Sequence, residues 1–247
     1  MNPKVSIIIP CYNAENFIEQ SVMSCLWQKY DNKEIIIVDN ESTDGSFEKL
    51  KSLKSKFNSL IIDTEKNIYK YSWQEPVEKA WTLMTGDYFT VVGADDLLHE
   101  DYISKCVSFM LENNLELLQS HIHCFNKFEN SVLYIQSVIG YDYSNIQELK
   151  SKLLTYCAVA SPSVFYKSDV LKKYKIEFSS DKYLGSCDYH MYCSLVDQGA
   201  YIHPANKFLG YFYRFHDKQS TYGMNSPEVR MMNIDNSIRS KFKQKWS

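Results

Sequence analysis

The sequence has 247 residues, of which 45% are hydrophobic and 23% are charged, and its formal net charge at pH 7 is −3. A chain of this length forms one large α/β domain or two small ones and can bury a substantial core. The near-neutral charge excludes a general nucleic-acid binder, because such proteins present a strongly basic surface.

The first hundred residues alternate short apolar runs with segments of helical spacing. Strands are predicted over residues 4–9, 34–38, 60–62 and 87–92, and helices over residues 14–29, 47–57 and 75–85. Strands that alternate with helices form a parallel, doubly wound sheet with right-handed crossovers. Ligands of such sheets bind outside the carboxyl ends of the strands. The polar groups that follow the first, second and fourth strands are therefore expected to converge on one crevice.

The second half of the sequence is less regular. Residues 116–124 and 132–138 are expected to form a hairpin, and a further strand is predicted over residues 208–214. Helices are predicted over residues 101–113, 145–156 and 187–198. Because neither a repeat nor a flexible linker interrupts the chain, we predict a single domain. It is expected to cover residues 1–221, with halves at 1–98 and 99–221, and to be followed by a helical basic tail over residues 222–247.

Two motifs in the first fifty residues carry a family resemblance. The first strand ends in VSIIIPCYN, and the second strand continues as EIIIVDNESTDGS. Asp39 lies before the turn, where a carboxylate can accept a hydrogen bond from a base or a ribose, whereas Asp44 lies where a side chain caps the next helix. The pattern resembles the nucleotide-binding start of family 2 glycosyltransferases, which have the GT-A fold. That fold implies a mostly parallel α/β sheet flanked by helices, with an acceptor-side second half.

The resemblance implies a nucleotide site at the first two strands. Pro10 and Tyr12 are expected to line the base, and Asp39 to bind it. Glu15 is expected to lie near the nucleotide. Glu75 lies at the start of the helix before the fourth strand, where family members often contact the donor, and is therefore a further donor-site candidate.

The fourth strand leads into the sequence Gly-Ala-Asp-Asp at residues 93–96. In the family this strand ends in a D-x-D motif that binds a divalent cation and the donor ribose. The resemblance therefore assigns the cation to Asp95, while Gly93 replaces the first acid. Mg²⁺ and Mn²⁺ take oxygen ligands, and Mg²⁺ often uses one or two carboxylates together with substrate phosphates. For Asp96 two interpretations remain open, a cap for the following helix and a contact with the donor sugar.

Two later motifs complete the implied site. Asp188 opens a predicted helix at the position of the family's acidic pair, whose aspartate deprotonates the acceptor hydroxyl, and Cys187 replaces the glutamate of that pair. The alternative for Asp188 is a helix cap. In the segment YRFH, Arg214 is expected to bind the diphosphate. His216 is expected to complete the ligands of the cation or to touch the diphosphate.

The resemblance implies a metal-dependent inverting glycosyltransferase. The donor would be a nucleoside diphosphate sugar, with uracil favoured by family frequency, and the cation Mn²⁺ or Mg²⁺. A hexosyl or N-acetylhexosaminyl group would pass to a glycan or lipid-linked saccharide in bacterial surface polysaccharide synthesis. The alternative is a degenerate module that binds a nucleotide sugar without catalysis, which the changes at Gly93 and Cys187 motivate. A nucleotidyltransferase is disfavoured because no Gly-rich basic loop follows the first strand.

Cellular location is inferred from cysteine usage and apolar runs. The seven cysteines are scattered and include no Cys-x-x-Cys pair, which predicts free thiols in a reducing compartment. No run approaches the ~20 apolar residues of a membrane span. We therefore predict a cytoplasmic protein. For the basic tail with Phe242 and Trp246, two alternatives remain: contact with anionic lipid at the inner face of the plasma membrane, and an ordinary solvated helix.

Overall fold

The computed structural model describes residues 2–68, 73–176, 178–217, 219 and 230–246. Four parallel strands form its first half: β1 (Val5–Cys11), β2 (Lys33–Asp39), β3 (Leu60–Thr64) and β4 (Tyr88–Val91). Three helices connect them: α1 (Ile18–Leu26), α2 (Ser46–Lys56) and α3 (Gln74–Leu83). The order β3-β2-β1-β4 is that of a doubly wound sheet, which confirms the predicted α/β class.

Strand β1 is longer than predicted, because it continues through Pro10 to Cys11. A proline interrupts a strand when its missing N–H leaves a neighbour unbonded. The carbonyl of Ile8 points toward β4, where it accepts from the N–H of Val92 at 2.8 Å. Pro10 lies two residues further on and faces the same side, but the pairing of β1 with β4 has already ended at Ile8. No hydrogen bond of the sheet is therefore lost at Pro10.

The second half adds antiparallel and parallel strands to the same sheet. Its strands are β5 (Leu97–Leu98), β6 (Leu117–Glu129), β7 (Val132–Ile139), β8 (Phe165–Lys167) and β9 (Ile202–Arg214). The sheet order is β3-β2-β1-β4-β8-β6-β9-β5, and β7 pairs with β6 as the predicted hairpin. Strand β8 is antiparallel to both of its neighbours, whereas β9 is parallel to β6. Strand β9 begins six residues before the predicted start, because its segment HPAN carries a weak strand signal but pairs with β6.

The remaining helices cover the two faces of the sheet. They are α4 (Tyr102–Glu112), α5 (Ile146–Leu153), α6 (Val170–Lys173), α7 (Ser180–Tyr183), α8 (Cys187–Asp197) and α9 (Arg230–Trp246). Helices α1, α2 and α4 contribute to one apolar core, with Val22, Leu50 and Met110 fully or almost fully buried. Helices α3, α5, α8 and α9 contribute to the other. Within the described ranges, no helix combines the length and the apolar character needed to cross a bilayer.

The C-terminal helix is part of the second core. Ile238 is 0% exposed and Phe242 is 1% exposed, and α9 packs against α8. The indole Nε1 of Trp246 donates to Asp197 on α8 at 2.9 Å. The interpretation of an ordinary solvated helix is therefore wrong, and the Phe242 ring is not available to a lipid surface. The predicted boundary between residues 221 and 222 lies outside the described residues.

Candidate active site

One edge of the sheet collects the predicted site residues. The carboxyl ends of β2 and β4 lie at this edge on either side of β1. Because β8 is antiparallel to β4, the turn Ser161–Ser163 that precedes β8 lies at the same edge. The carboxyl end of β9 reaches it as well, since β9 runs antiparallel to β8 through β6. Side chains from distant parts of the sequence therefore line one crevice.

Asp39 is the last residue of β2, and only one of its two carboxylate oxygens has a hydrogen-bond partner among the described residues. The residue is 3% exposed, and its Oδ2 accepts from the backbone N–H of Ser42 at 3.0 Å. Its Oδ1 is buried and has no hydrogen-bond partner among the described residues. Buried polar atoms are nearly always bonded, so an atom without a partner at this edge is a candidate contact for a bound water, ion or ligand. Tyr12 at the end of neighbouring β1 is 50% exposed, and Pro10 is half-buried.

Glu15 ties two loops together beside Asp39. Its Oε2 accepts from the N–H of Gly45 at 3.3 Å, and its own N–H donates to Asp44 at 3.1 Å. Asp44 also accepts from the first N–H of α2, that of Ser46, at 2.9 Å, although Gly45 and not Asp44 stands at the N-cap position of the helix. Through these two hydrogen bonds, Glu15 connects the β1–α1 loop to the β2–α2 loop. Its proximity to a nucleotide stays a prediction.

Asp95 and His216 are in direct contact. The imidazole Nε2 lies 2.9 Å from Asp95 Oδ2, and the side chains are 17% and 26% exposed for His216 and Asp95 respectively. Phe17 supports the imidazole from one side, with ring centroids 4.4 Å apart. Among the described residues, no group of three or more His, Cys, Asp or Glu side chains is arranged to hold a metal ion. A cation here would take two ligands from the protein and the rest from a substrate or water.

The buried side chain of Arg214 stabilises the site through hydrogen bonds to neighbouring residues. It is 6% exposed, its Nε donates to the Asp95 carbonyl at 2.6 Å, and its Nη2 donates to Gln20 at 2.8 Å. The guanidinium carbon lies 4.9 Å from the ring centre of Phe17 and 4.6 Å from that of Phe125. Burial lowers the pKa of Arg214, and the charge of Asp95 opposes that shift. This geometry argues against the predicted contact of Arg214 with the diphosphate, because two of its three guanidinium nitrogens already donate within the protein.

Asp96 is buried on the far side of the same turn. It is 1% exposed; its Oδ2 accepts from the Tyr211 hydroxyl at 2.7 Å and its Oδ1 from the backbone N–H of Arg214 at 2.8 Å. Burial, and then the charge of Asp95, raise the pKa of Asp96 well above its ordinary value. Helix α4 begins six residues later, at Tyr102, and Asp101 stands at its N-cap position, so the capping interpretation of Asp96 is wrong. The donor-sugar interpretation is also disfavoured, because both oxygens are used within the fold.

Gly93 is required by this arrangement. A Cβ at position 93 would lie 2.5 Å from Asp96 Oδ2 and 2.8 Å from Asp95 Oδ1. The N–H of Gly93 donates to the Tyr211 hydroxyl at 3.0 Å, and its carbonyl accepts from Ser21 at 2.9 Å. Side-chain carboxylates already fill the space that the first acid of a D-x-D motif would enter. Glycine at position 93 therefore leaves the space that the Asp96 carboxylate occupies.

Asp188 lies in the first turn of α8 and is partly buried. Its Oδ1 accepts from the N–H of Tyr189 at 2.7 Å. Burial raises the pKa of Asp188 to about 6, helped by the charge of Asp235 on α9. A carboxylate of this pKa is ionised at neutral pH and is a stronger base than an ordinary aspartate. Helix α8 contacts the turn at the common edge of the sheet through Tyr192, whose hydroxyl lies 3.0 Å from Ser161 Oγ.

Glu75 lies in the first turn of α3 and is 8% exposed. Burial raises the pKa of Glu78, one turn further on, and the charge of Glu75 adds to that shift. The donor contact of Glu75 stays a prediction.

Several residues around the site were not identified from the sequence, because only folding brings them to it: Phe17, Gln20, Ser161 and Tyr211.

The mixed sheet, with its polar carboxyl edge, has the architecture of a GT-A protein. It is similar to the crystal structure of S. aureus TarS in complex with UDP, with a TM-score of 0.64 and 19% identity, over 97% of this chain and 70% of that one. A family model described as Glycosyl transferase family 2 matches residues 6–174. The chain belongs to glycosyl transferase family 2, as the two strand motifs predicted.

Two relatives set the extent of the similarity. An uncharacterized glycosyltransferase of Haemophilus influenzae is 32% identical over 164 residues, which cover 62% of this chain and 61% of the relative. The chain thus spans less than two thirds of that protein. The E. coli protein WfaP, a UDP-Glc:alpha-D-GlcNAc-diphosphoundecaprenol beta-1,3-glucosyltransferase, is 26% identical over 238 residues, which cover 96% of this chain and 87% of WfaP.

Proposed function

We propose that this protein is an inverting glycosyltransferase that moves a hexosyl group from a nucleoside diphosphate sugar to a saccharide hydroxyl. Family membership supports the class of reaction. The proposal rests mainly on two features that lie at the same edge of the sheet. One is the Oδ1 atom of Asp39, which has no hydrogen-bond partner among the described residues, and the other is the contact of Asp95 with His216. Strands β2 and β4 stand two strand spacings apart, about 10 Å, which suits a nucleoside lying across β1.

The base end of the donor is assigned to β1 and β2. The buried Oδ1 of Asp39 offers an acceptor for an N–H of the base. Tyr12 is half-exposed beside it and offers a ring face for the base to stack on. Pro10 forms the floor between them as the half-buried residue of β1. A uracil base carries an imide N–H that matches the orphan acceptor.

The diphosphate end is assigned to Asp95 and His216. A carboxylate oxygen and an imidazole nitrogen 2.9 Å apart fit Mn²⁺ or Mg²⁺ as part of a ligand set that phosphate oxygens complete. When bound, such a cation neutralises charge on the leaving diphosphate. Arg214 contributes by fixing the backbone of Asp95 through its 2.6 Å bond to that carbonyl. It acts on the diphosphate site through Asp95.

Asp188 is assigned as the base. As the acceptor hydroxyl attacks the anomeric carbon, Asp188 takes its proton, and attack from the face opposite the diphosphate inverts the anomeric centre. Its pKa of about 6 keeps the carboxylate ionised at neutral pH while increasing its affinity for a proton. An acceptor-side location is supported by the contact of its helix α8 with the turn Ser161–Ser163, where the Tyr192 hydroxyl lies 3.0 Å from Ser161 Oγ.

The proposed donor and acceptor classes are supported by a relative. WfaP transfers glucose from UDP-Glc to a GlcNAc-diphosphoundecaprenol, and it aligns with nearly the whole of this chain. We infer UDP-glucose or a related UDP-hexose as donor and a lipid-linked saccharide as acceptor, in bacterial surface polysaccharide synthesis. A cytoplasmic location beside the inner face of the plasma membrane follows from that acceptor.

The second candidate is a binding module that holds the nucleotide sugar without transfer. The absence of the first acid at Gly93 favours it, as does the lack of a three-residue ligand cluster in the described part of the chain. The two functions differ in turnover. UDP release from UDP-glucose, UDP-galactose and UDP-N-acetylglucosamine with Mn²⁺ should be followed with and without GlcNAc-diphosphoundecaprenol.

Acceptor-dependent UDP release that falls in Asp188→Asn is the expected result. The matched control is Asp181→Asn, since Asp181 lies on α7 and is exposed. Nucleotide binding without release, for every donor and with the acceptor present, would support the binding module and overturn the transferase.

A further inference from the structure

Gln20, in the first turn of α1, holds the guanidinium group of Arg214. Its Oε1 accepts from Arg214 Nη2 at 2.8 Å, while Arg214 Nε donates to the carbonyl of Asp95 at 2.6 Å. Gln20 is an exposed residue, whereas Arg214 is 6% exposed. Because one planar guanidinium makes both bonds, its orientation at Gln20 sets its orientation at Asp95. Two hydrogen bonds therefore connect α1 to the backbone of Asp95.

Phe17, at the N-cap position of α1, contacts both His216 and Arg214. Its ring centroid lies 4.4 Å from that of the imidazole and 4.9 Å from the guanidinium carbon. The second distance is within the range over which an aromatic face attracts a cation. One half-buried ring thus limits the positions of the imidazole that is assigned to the cation and of the guanidinium that holds Asp95.

Three polar side chains further along α1, spaced as on one helix face, bond the backbone of residues 93–99, the segment that contains Asp95. The bonds are Ser21 Oγ to the carbonyl of Gly93 at 2.9 Å, the N–H of Leu98 to Ser24 Oγ at 3.1 Å, and Gln28 Nε2 to the carbonyl of His99 at 2.8 Å. Helix α1 therefore holds this segment both before and after Asp95.

The small number of protein ligands makes such support important. Asp95 and His216 are the two side chains that the proposed function gives to the cation, and Gly93 contributes no carboxylate. When a contact that orients a metal ligand is removed, metal affinity typically falls by about 10–100-fold. A site with two protein ligands depends on the orientation of each of them.

We propose that Gln20 and Phe17 are positioning residues that hold Asp95 and His216 in the geometry that binds a divalent cation, with Gln20 acting through Arg214. This role rests on the proposed function, in which that cation binds the diphosphate. A purely structural role of the two side chains would change the stability of the fold when they are removed. The positioning role also requires a loss of cation affinity without a loss of metal-free nucleotide affinity.

The test is the dissociation constant of Mn²⁺ for the full-length protein, measured by electron paramagnetic resonance of the free ion. It should rise by about tenfold in Gln20→Ala, and it should also rise in Phe17→Leu, which keeps apolar volume but removes the ring face. Glu19→Ala is the control, because Glu19 is an exposed neighbour on the same helix turn. Metal-free binding of UDP, measured by calorimetry, should not weaken in any of the three variants.

A double-variant comparison tests the route through Arg214. Arg214→Lys keeps the positive charge but cannot reproduce the two bonds of the planar group, so Mn²⁺ affinity should fall. Adding Gln20→Ala to Arg214→Lys should then cause no further loss, because the two residues act in series. Losses that add independently would overturn the proposed route.

An unchanged Mn²⁺ dissociation constant in Gln20→Ala or in folded Phe17→Leu would overturn the proposal. An equal rise in Glu19→Ala, or an equal weakening of metal-free UDP binding, would do the same, since either would report a general disturbance of α1. Mn²⁺ binding that weakens as expected, in a protein that never releases UDP from UDP-glucose, would retain the positioning role and remove the proposed transferase.

Discussion

His216 Nε2 lies 2.9 Å from Asp95 Oδ2, although 121 residues separate the two in the chain. Asp95 follows β4, and His216 follows β9, three places further along the sheet order. The contact forms because β5, which directly follows Asp96, pairs with the end of β9. Two groups that can bind a cation are thereby held side by side at the carboxyl edge of the sheet.

Asp95→Asn should remove the metal-dependent part of nucleotide binding. The substitution keeps the size of the side chain but removes the charge that attracts a cation. When UDP with Mn²⁺ is present at a hundred times its dissociation constant, it should add about 2.7 kcal/mol to the stability of the wild-type protein. Thermal denaturation should show that Asp95→Asn retains only the metal-free shift. Asp142→Asn is the control, because Asp142 forms a second, exposed pair with His121; an equal loss there would contradict the assignment.

Gly93→Ala should destabilise the protein by about 1–3 kcal/mol, since the added methyl group overlaps the carboxylates of Asp95 and Asp96. Urea unfolding would measure the loss. In an Asp96→Ser background the overlap with Asp96 is relieved, so the same substitution should cost less there. Equal costs in the two backgrounds would mean that Asp96 is not the reason for glycine.

Asp188→Asn should lower turnover by roughly 10²–10⁴-fold while it makes the protein more stable. The folded pKa of Asp188 is raised from 3.8 to about 6. The folded state therefore holds the proton more tightly than the unfolded state, and stability falls as pH rises through this window. Asp188→Asn should therefore increase the free energy of unfolding by up to about 3 kcal/mol at pH 8 and by little at pH 3. Denaturation at both pH values would test it; equal gains would contradict the raised pKa.

Turnover of the wild-type enzyme should fall as pH drops below about 6, because Asp188 must be ionised to accept a proton. The acid limb of the kcat profile should be absent from the small residual activity of Asp188→Asn. An unchanged limb in that variant would assign it to another group.

Phe242→Ala should cost about 3–5 kcal/mol, because it empties a site that is 1% exposed between α9 and α8. Met232→Ala on the same helix is the control, since Met232 is 63% exposed, and should change stability by less than about 0.5 kcal/mol. Similar small effects in both variants would mean that α9 does not belong to the core.

The parallel half of the fold could be predicted because its signals are local. Each of the first four strands is a short apolar run, and each helix has a spaced apolar face. The carboxyl ends of β2 and β4 then follow from the topology, which is why Asp39 and Asp95 could be selected from the sequence. The family motifs added the expected roles of Asp188 and His216. His216 contacts Asp95, while its role toward a cation stays a prediction.

The remainder depends on contacts that no local pattern encodes. Arg214 in a segment YRFH gives no sign that Phe17 and Phe125 will enclose it and bury its charge. Asp96 looks like a capping or donor-binding residue until Tyr211 and the backbone of Arg214 are brought onto its two oxygens. The basic composition of α9 indicated a surface helix, whereas two apolar side chains four residues apart suffice to pack it on α8.

The most direct measurement of the central claim is the binding of UDP, GDP, CDP and dTDP, each with and without Mn²⁺, by isothermal titration calorimetry. The expected result is binding of UDP that tightens with Mn²⁺, weakens in Asp39→Asn, and loses its metal dependence in Asp95→Asn. The absence of binding by all four nucleotides, to a protein that unfolds cooperatively, would contradict a nucleotide-sugar site at this edge of the sheet.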